Sequence, residues 1–224
     1  MKIWHISDTH TYHGLLEIPE WIDTVIFSGD CSNPRNPYLN EQEVLNFIEW
    51  FSKLPIKNKI MIAGNHDSSI ENGFITKEFI QSKGIYYLEN SGIILDGINI
   101  WGSPHAPTFG DWSFMKARAK LDRVWQNIPK DVNILIVHGP PKGFLDLTYN
   151  RNRDIERCGC NALKKRVLEI EPDIVMFGHI HNYKDIVNAG TMRTATSKTI
   201  YSNGSVVTDN EFGILSSNGN ILEI

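Results

Sequence analysis

Hydrophobic positions in this 224-residue chain recur as five short runs, each ending in a cluster rich in glycine and in side chains that bind cations. Residues 2–6 lead into Ser7, Asp8, Thr9 and His10, and residues 24–27 into Ser28, Gly29 and Asp30. Residues 59–63 lead into Gly64, Asn65, His66 and Asp67. Residues 133–137 end at His138 and Gly139, and residues 173–177 at Gly178, His179, Ile180 and His181. Apolar runs of this length, bounded by turn residues, predict buried strands. Ligands of open α/β sheets bind beyond the carboxyl ends of the strands, so the clusters predict a two-metal hydrolase site along one edge of a sheet.

Between the runs the spacing turns helical. Val44, Phe47, Ile48 and Phe51 define a helix over 41–53, and further helices are predicted over 76–82, 114–126 and 161–170. From Gly84 the pattern shortens to strands at 85–88, 92–95 and 98–101, with Asp96-Gly97 as a hairpin turn opening a second sheet. The tail reads the same way at 199–201, 205–208 and 212–215. Two facing sheets flanked by helices account for the whole pattern. No linker-like break interrupts it, so a single domain over 1–224 is expected.

Composition narrows the partners. A hydrophobic fraction of 41% and a charged fraction of 21% are those of an ordinary globular protein. No window approaches the roughly 20 apolar residues of a bilayer span. A formal charge of −4 argues against an extended nucleic-acid-binding surface but leaves a nucleotide-sized substrate open. The chain starts on a strand-like segment rather than a secretory leader, and its three cysteines make a poor disulfide framework. A cytoplasmic location is expected, and the oligomeric state is left open.

Five of the eight histidines, His10, His66, His138, His179 and His181, fall at predicted strand ends beside glycine or a carboxylate. His5 and His13 lie outside that pattern and read as ordinary packed or surface residues. Asp8 and His10 are two apart, so in extended backbone they face the same side and can share one metal. His179 and His181 alternate around Ile180 and reach toward two neighbouring ions. Mixed carboxylate and imidazole ligation suits Mn, Fe, Zn or Ni better than Mg or Ca.

The order Asp-x-His, Gly-Asp-x-x-Asn, Gly-Asn-His-Asp, His-Gly and Gly-His-x-His, running from Asp8 to His181, closely resembles the calcineurin-like metallophosphoesterase superfamily. That resemblance implies a four-layer α/β/β/α sandwich of two mixed sheets flanked by helices, and two divalent metal ions with manganese foremost. It places one ion on Asp8, His10, Asp30 and His181 and the other on Asp30, Asn65, His138 and His179, with Asp30 bridging. It implies that His66 stabilises the phosphoryl transition state or protonates the leaving oxygen and that Asp67 orients His66; Asn33, at the polar last position of the second block, fits support of the ligands or the phosphate side rather than ligation. Two adjacent cations acidify a water between them and stabilise both attacking and leaving groups of an in-line displacement.

Further stretches resemble a smaller branch, the single-domain metallophosphodiesterases related to the brain-expressed, cyclic-nucleotide-hydrolysing type. They are Gly102-Ser103-Pro104, the segment from His138 to Asp146, Cys158-Gly159-Cys160, and the segment from Ile200 to Ser205. Gly204 stands where the branch has alanine, and His105 where it tends to have a bulky aromatic. This likeness implies hydrolysis of a small phosphodiester or nucleotide, cyclic nucleotides included. A phosphomonoesterase or protein phosphatase with the same site is the alternative. An inactive metal-binding scaffold is disfavoured because every ligand position is filled. His105, Phe109 and Trp112 are candidate substrate contacts, while Phe114 reads as packing. Arg151, Arg153 and Arg157 beside Lys142 suit either substrate phosphates or a solvated loop. Cys158 and Cys160 read as structural, and Lys164-Lys165-Arg166 as a solvent-facing patch.

Overall fold

The computed structural model describes residues 1–209 and 214–224. In chain order its strands are β1 (Lys2–Ile6), β2 (Thr24–Phe27), β3 (Asn58–Met61), β4 (Tyr86–Tyr87), β5 (Ser91–Leu95), β6 (Ile98–Ser103), β7 (Ala106–Pro107) and β8 (Met115–Lys116). They continue with β9 (Ile134–Val137), β10 (Leu147–Tyr149), β11 (Ile155–Arg157), β12 (Ile174–Phe177), β13 (Gly190–Arg193), β14 (Ile200–Asn203) and β15 (Asn220–Glu223). The helices are α1 (Pro37–Ser52), α2 (Ser68–Glu71), α3 (Lys77–Ser82), α4 (Arg118–Gln126) and α5 (Asn161–Ile170). None of the described helices is long and apolar enough to cross a membrane.

One sheet runs β15-β1-β2-β3-β4 and the other β13-β14-β12-β9-β6-β5. Both have parallel centres; β15, β13 and β5 pair antiparallel at the edges. Side chains alternate across each strand, so every buried strand feeds two cores. Ile3, Ile26, Ile60, Ile134, Ile136, Ile174 and Met176 pack between the sheets. Trp4, Val25, Phe27 and Met61 face outward onto Val44, Phe47, Ile48 and Phe51 of α1. Leu135, Val137, Val175 and Phe177 face the other way onto Leu121 and Trp125 of α4 and Leu163 and Val167 of α5. The result is the four-layer α/β/β/α sandwich. Each fully buried side chain of this size contributes about 1.5–3 kcal/mol.

The elements follow the sequence pattern with physical exceptions. The first helix begins at Pro37, ahead of residue 41, because the Asn36 side chain accepts from the Tyr38 N–H and Pro37 occupies the first turn, where its missing donor is harmless. Residues 114–117 are not helical: Phe114 is left-handed at φ 54° and its carbonyl accepts from Ala106 N, so α4 starts at Arg118. Asp96 and Gly97, at φ 50° and 81°, form the expected hairpin turn between β5 and β6. The strand at 86–87, however, joins the first sheet. Residues 205–208 form isolated bridges rather than a strand, and of 212–215 the residues Phe212 and Gly213 lie outside the described residues. β15 was invisible to the periodicity because among its four residues only Leu222 is buried.

The five apolar runs divide three and two. β1, β2 and β3 lie in one sheet and β9 and β12 in the other, so their clusters meet across the seam of two sheets and not along one edge. Cys158 and Cys160 are free thiols; Cys160 is buried and accepts from Trp125 Nε1 at 3.4 Å. Arg166 corrects the solvent-facing patch. It is only 4% exposed, donates to the Ile128 carbonyl and pairs with Glu169 at 3.0 Å, while Lys165 is exposed. Arg166→Ala is expected to lower the unfolding free energy by about 2 kcal/mol, the scale of a charged hydrogen bond. Lys165→Ala should change it by less than about 0.5 kcal/mol; urea unfolding of both variants checks the pair.

Candidate metal centre

The backbone carries the first sign of a site. Asp8, His10, Asp30 and His179 all lie in the left-handed region, at φ 52°, 42°, 64° and 70°. Such conformations cost about 1–3 kcal/mol each and persist where the surroundings over-determine them. The extended backbone expected at Asp8-x-His10 and at His179 is therefore not what aims these side chains. Hydrogen bonds between strand ends fix the turns: Asp8 N donates to Gly29 O at 2.8 Å, and His10 N to Asp30 O at 3.2 Å. Ser7 N donates to Gly204 O at 2.8 Å, and Gly178 N to His138 O at 3.0 Å. His5 spans the seam between the sheets, with Nδ1 2.8 Å from Ser202 Oγ and Nε2 3.0 Å from Ser28 Oγ. A Cβ at Gly178 would fall on the Asp8 carboxylate and the Ser7 hydroxyl, and one at Gly64 on the Asp30 carboxylate, so glycine is required at both.

Around these turns, acceptors converge. Asp8 is fully buried and Asp30 2% exposed. His138 Nδ1 donates to the Ser28 carbonyl at 2.8 Å, since a carbonyl can only accept. Its Nε2 then faces Asp30 Oδ2 at 3.1 Å and Asn65 Oδ1 at 2.9 Å. His10 Nδ1 donates to the Ser32 carbonyl at 3.0 Å, which leaves Nε2 buried with no partner among the described residues. His181 Nδ1 meets Asp209 Oδ1 at 2.6 Å, and its Nε2 faces Asp8 Oδ1 at 3.3 Å. Asp8, His10 and His181 form one group, Asp30, His138 and His179 a second, and His10, Asp30 and His66 a third, each with donor atoms within 4.8 Å of one another. Lone pairs of neutral imidazoles and buried carboxylates repel unless a cation or a proton lies between them. The donor set therefore fits divalent metals with mixed nitrogen and oxygen ligation.

The titration shifts describe the same demand. Burial opposes charge on His138, but Asp30 outweighs it and raises His138 to about 9. Burial likewise opposes charge on His181, yet its bonds to Asp209 and Asp8 raise it to about 10. Asp8 falls to about 2 against its burial because His181 bonds to it, and Asp30 is held well below the carboxylate range, against its burial, by His138 and His66. Where no cation competes, protons on His138 and His181 take its place. His10 goes down to about 4 through burial and the charge of His181, and His179 to about 3 through burial and His138.

The other expected site residues separate. His66 lies against the cluster, its ring 4.8 Å from that of His10 and its N–H donating to Asp30 Oδ1 at 2.6 Å. Among the described residues, no hydrogen bond links Asp67 to the His66 ring. Fully buried, Asp67 accepts from the N–H groups of Gly64, Asp30 and Cys31 at 2.8, 2.9 and 3.0 Å and so braces the loops that carry Asp30 and Asn65. The backbone of Asn33 orients His66 instead, its carbonyl accepting from His66 Nδ1 at 3.2 Å, while Asn33 Nδ2 donates to His10 O at 3.2 Å. Trp112 lies 4.1 Å from His66 with the Arg35 guanidinium 3.7 Å from its ring, so two neighbours already pack against it. His105 is likewise engaged, by Phe114 O at 3.0 Å and Asn90 Nδ2 at 3.2 Å, and ties down the aromatic loop. Phe114 is buried, as packing predicts. Phe109 is 65% exposed and 5.4 Å from the His179 ring. Arg157 pairs with buried Asp146 at 2.8 Å. Arg35 had no sequence signal, and Asp209, though it directly follows the strand predicted at 205–208, has no glycine or histidine beside it to mark it.

A sandwich with an acceptor cluster of this kind at its seam defines a metal-dependent hydrolase class. Residues 1–183 match the calcineurin-like phosphoesterase family, and the chain belongs to it. It is 34% identical over 232 residues to the human protein named metallophosphoesterase domain-containing protein 1, covering 92% of this chain and 66% of that one. It is 31% identical over 204 residues to a UPF0046 protein of Caenorhabditis elegans, covering 85% of this chain and 67% of the other. These relatives place it in the small metallophosphoesterase branch. Among solved structures, a protein of Thermus thermophilus shares the fold with a TM-score of 0.62 at 12% identity, over 90% of this chain and 88% of its own.

The acceptor cluster makes the metal-free protein sensitive to pH. His138 and His181 have folded pKa values raised from 6.5 to about 9 and about 10, so their contribution to metal-free stability is full below pH 6.5 and lost as pH rises through those values. Thermal unfolding of chelator-treated protein should show a falling midpoint between about pH 7 and 10, and His138→Gln with His181→Gln should flatten the fall. Asp209→Ala removes the acceptor that fixes the His181 tautomer. It should weaken manganese binding about 10- to 100-fold at one of two calorimetric sites and leave the other nearly unchanged.

Proposed function

We propose that the protein is a dinuclear metal-dependent phosphodiesterase that hydrolyses small phosphodiesters, cyclic nucleotides among them. The observation that carries this reading is the buried convergence of Asp30 Oδ2 and Asn65 Oδ1 on His138 Nε2, at 3.1 and 2.9 Å, together with the unpartnered His10 Nε2. In this reading Asp8, His10, Asp30 and His181 hold one ion, and Asp30, Asn65, His138 and His179 the other. Manganese is the leading candidate, with Fe, Zn or Ni compatible with the same donors. When bound, such ions supply Lewis acidity toward phosphate oxygens and toward the attacking water.

The chain's own residues do the rest. Asp30, grouped with His138 and His179 on one side and with His10 on the other, fixes the spacing of the two halves. His66 donates its Nδ1–H to the Asn33 carbonyl, which aims Nε2 of the same ring at a leaving oxygen; protonated there, it delivers the proton as the ester bond breaks. Asp67 is a positioning residue, acting through the loop amides it holds. The exposed Phe109 ring beside His179 gives the phosphorus an adjoining surface for an organic substituent. The three unpaired cysteines support a cytoplasmic setting.

A phosphomonoesterase or protein phosphatase built on the same donors is the competing reading. Turnover of bis(p-nitrophenyl) phosphate against p-nitrophenyl phosphate by the manganese-loaded protein separates them: diester preference supports the proposal, and faster monoester cleavage replaces it. His66→Ala should retain two metals by elemental analysis yet lose about 100-fold or more in diester turnover, the scale of general acid catalysis. Unchanged turnover would remove His66 from the reaction.

A further inference from the structure

Two separate clefts border the acceptor cluster, and one loop feeds both. The first, about 310 Å³, is walled by Phe109, Pro107, Pro140, Ile180 and His179. The second, about 260 Å³, is walled by Asn65, Ser68, Glu71, Asn72, Asp111 and Trp112, with Arg35 at its side. Phe109 and Trp112, three residues apart between β7 and β8, point into different clefts. The chemistry of the two differs. Phe109 is 65% exposed and free to stack, with prolines and an isoleucine beside it; Thr148, Glu156 and Arg118, whose guanidinium is held by the Cys158 and Gly159 carbonyls, complete the wall. Arg35 and His66 already pack against the Trp112 ring, so what the second cleft chiefly offers is hydrogen bonding. Ser68 Oγ is buried there with no partner among the described residues, beside carboxylates that accept and amides and a guanidinium that donate.

We propose that, within this class of small diesters, the preferred substrate is an acyclic phosphodiester with two unlike arms: a flat aromatic arm against Phe109, and a hydroxyl-rich, sugar-like arm in the Ser68–Asp111 cleft. Hydroxyls both donate and accept, which matches the mixture of groups in that cleft. A cyclic diester ties both ester oxygens to one body and leaves one cleft without an occupant. This inference rests on the diester reading above and names its substrate class. Because His66 borders the second cleft through Trp112, the hydroxyl-rich arm is the one that leaves. Water oxygen forms the new P–O bond as the P–O bond to that arm breaks; the departing oxygen takes the His66 proton, and the proton shed by the water passes to solvent. The aromatic arm stays on the product as a monoester.

The test uses the full-length, manganese-loaded chain and three diesters with unactivated leaving groups: benzyl glyceryl, benzyl methyl and methyl glyceryl phosphate. Benzyl glyceryl phosphate should give the highest kcat/KM, with benzyl phosphate and glycerol as products. Phe109→Ala should lower kcat/KM about tenfold more for benzyl glyceryl than for methyl glyceryl phosphate, within the range of aromatic stacking. Asp111→Ala should show the reverse selectivity, losing about fivefold more on glyceryl than on benzyl methyl phosphate, the scale of one hydrogen bond. Equal losses on all three esters, or glyceryl phosphate as the product, overturn the assignment. Should no diester turn over, the reaction proposed above falls, and calorimetry decides the clefts by itself. Benzyl phosphate binding weakened by Phe109→Ala and glycerol 1-phosphate binding weakened by Asp111→Ala sustain them; binding insensitive to both variants removes them.

Discussion

The constraint on which this structure turns is the burial of Asp8 and Asp30, 0% and 2% exposed, at the seam of two sheets. A buried carboxylate is expensive unless a partner of opposite charge and several hydrogen bonds compensate it. Here the neighbours are mostly other acceptors, the imidazole nitrogens of His138 and His181 and the amide oxygen of Asn65. Such a cluster is tolerable with cations or protons between its members, and the carboxylates beside them raise His138 and His181 in the direction that favours such protons where no cation is bound. The left-handed turns at Asp8, His10, Asp30 and His179 are the local cost of pointing these groups inward.

Much of the surrounding architecture reads as reinforcement of that convergence. The two sheets are joined where the cluster sits, through the backbone bonds of Ser7 with Gly204 and Val206, with His5 crossing between them just behind. Asp67 holds three loop amides, and Ser32 supplies the carbonyl that sets the His10 tautomer. Asp209 does the same for His181 from the tail of the chain. The hydrophobic layers on either side lock the strands whose ends carry these residues, so the precision of the site is inherited from Ile134, Ile136, Ile174 and their neighbours.

The strands and their ligand clusters were legible in the sequence because a buried parallel strand is a continuous apolar run, and its end is marked by glycine and polar groups. Helices α3 and α5 were placed closely because Thr76 caps the first and the apolar spacing marks the second. What escaped were features set by tertiary contact. The left-handed turns contradict the extended geometry that spacing alone suggests at Asp8 and His10. The family resemblance implies that Asp67 orients His66, yet the fold turns it toward the amides of Asp30, Cys31 and Gly64. The Arg35 guanidinium packs on Trp112 with no signal in the sequence, and Arg166, read as solvent-facing, is buried where the Ile128 carbonyl accepts from it. β15 carries a single buried residue and left no periodicity to read.

The most direct test of the central claim is a calorimetric titration of manganese into chelator-treated protein, comparing Asp30→Asn with Asp8→Asn. The account predicts two sites in the parent protein, the loss or severe weakening of both in Asp30→Asn because that carboxylate serves both groups, and one surviving site in Asp8→Asn. Two intact sites in Asp30→Asn, or no more than one in the parent protein, would contradict it.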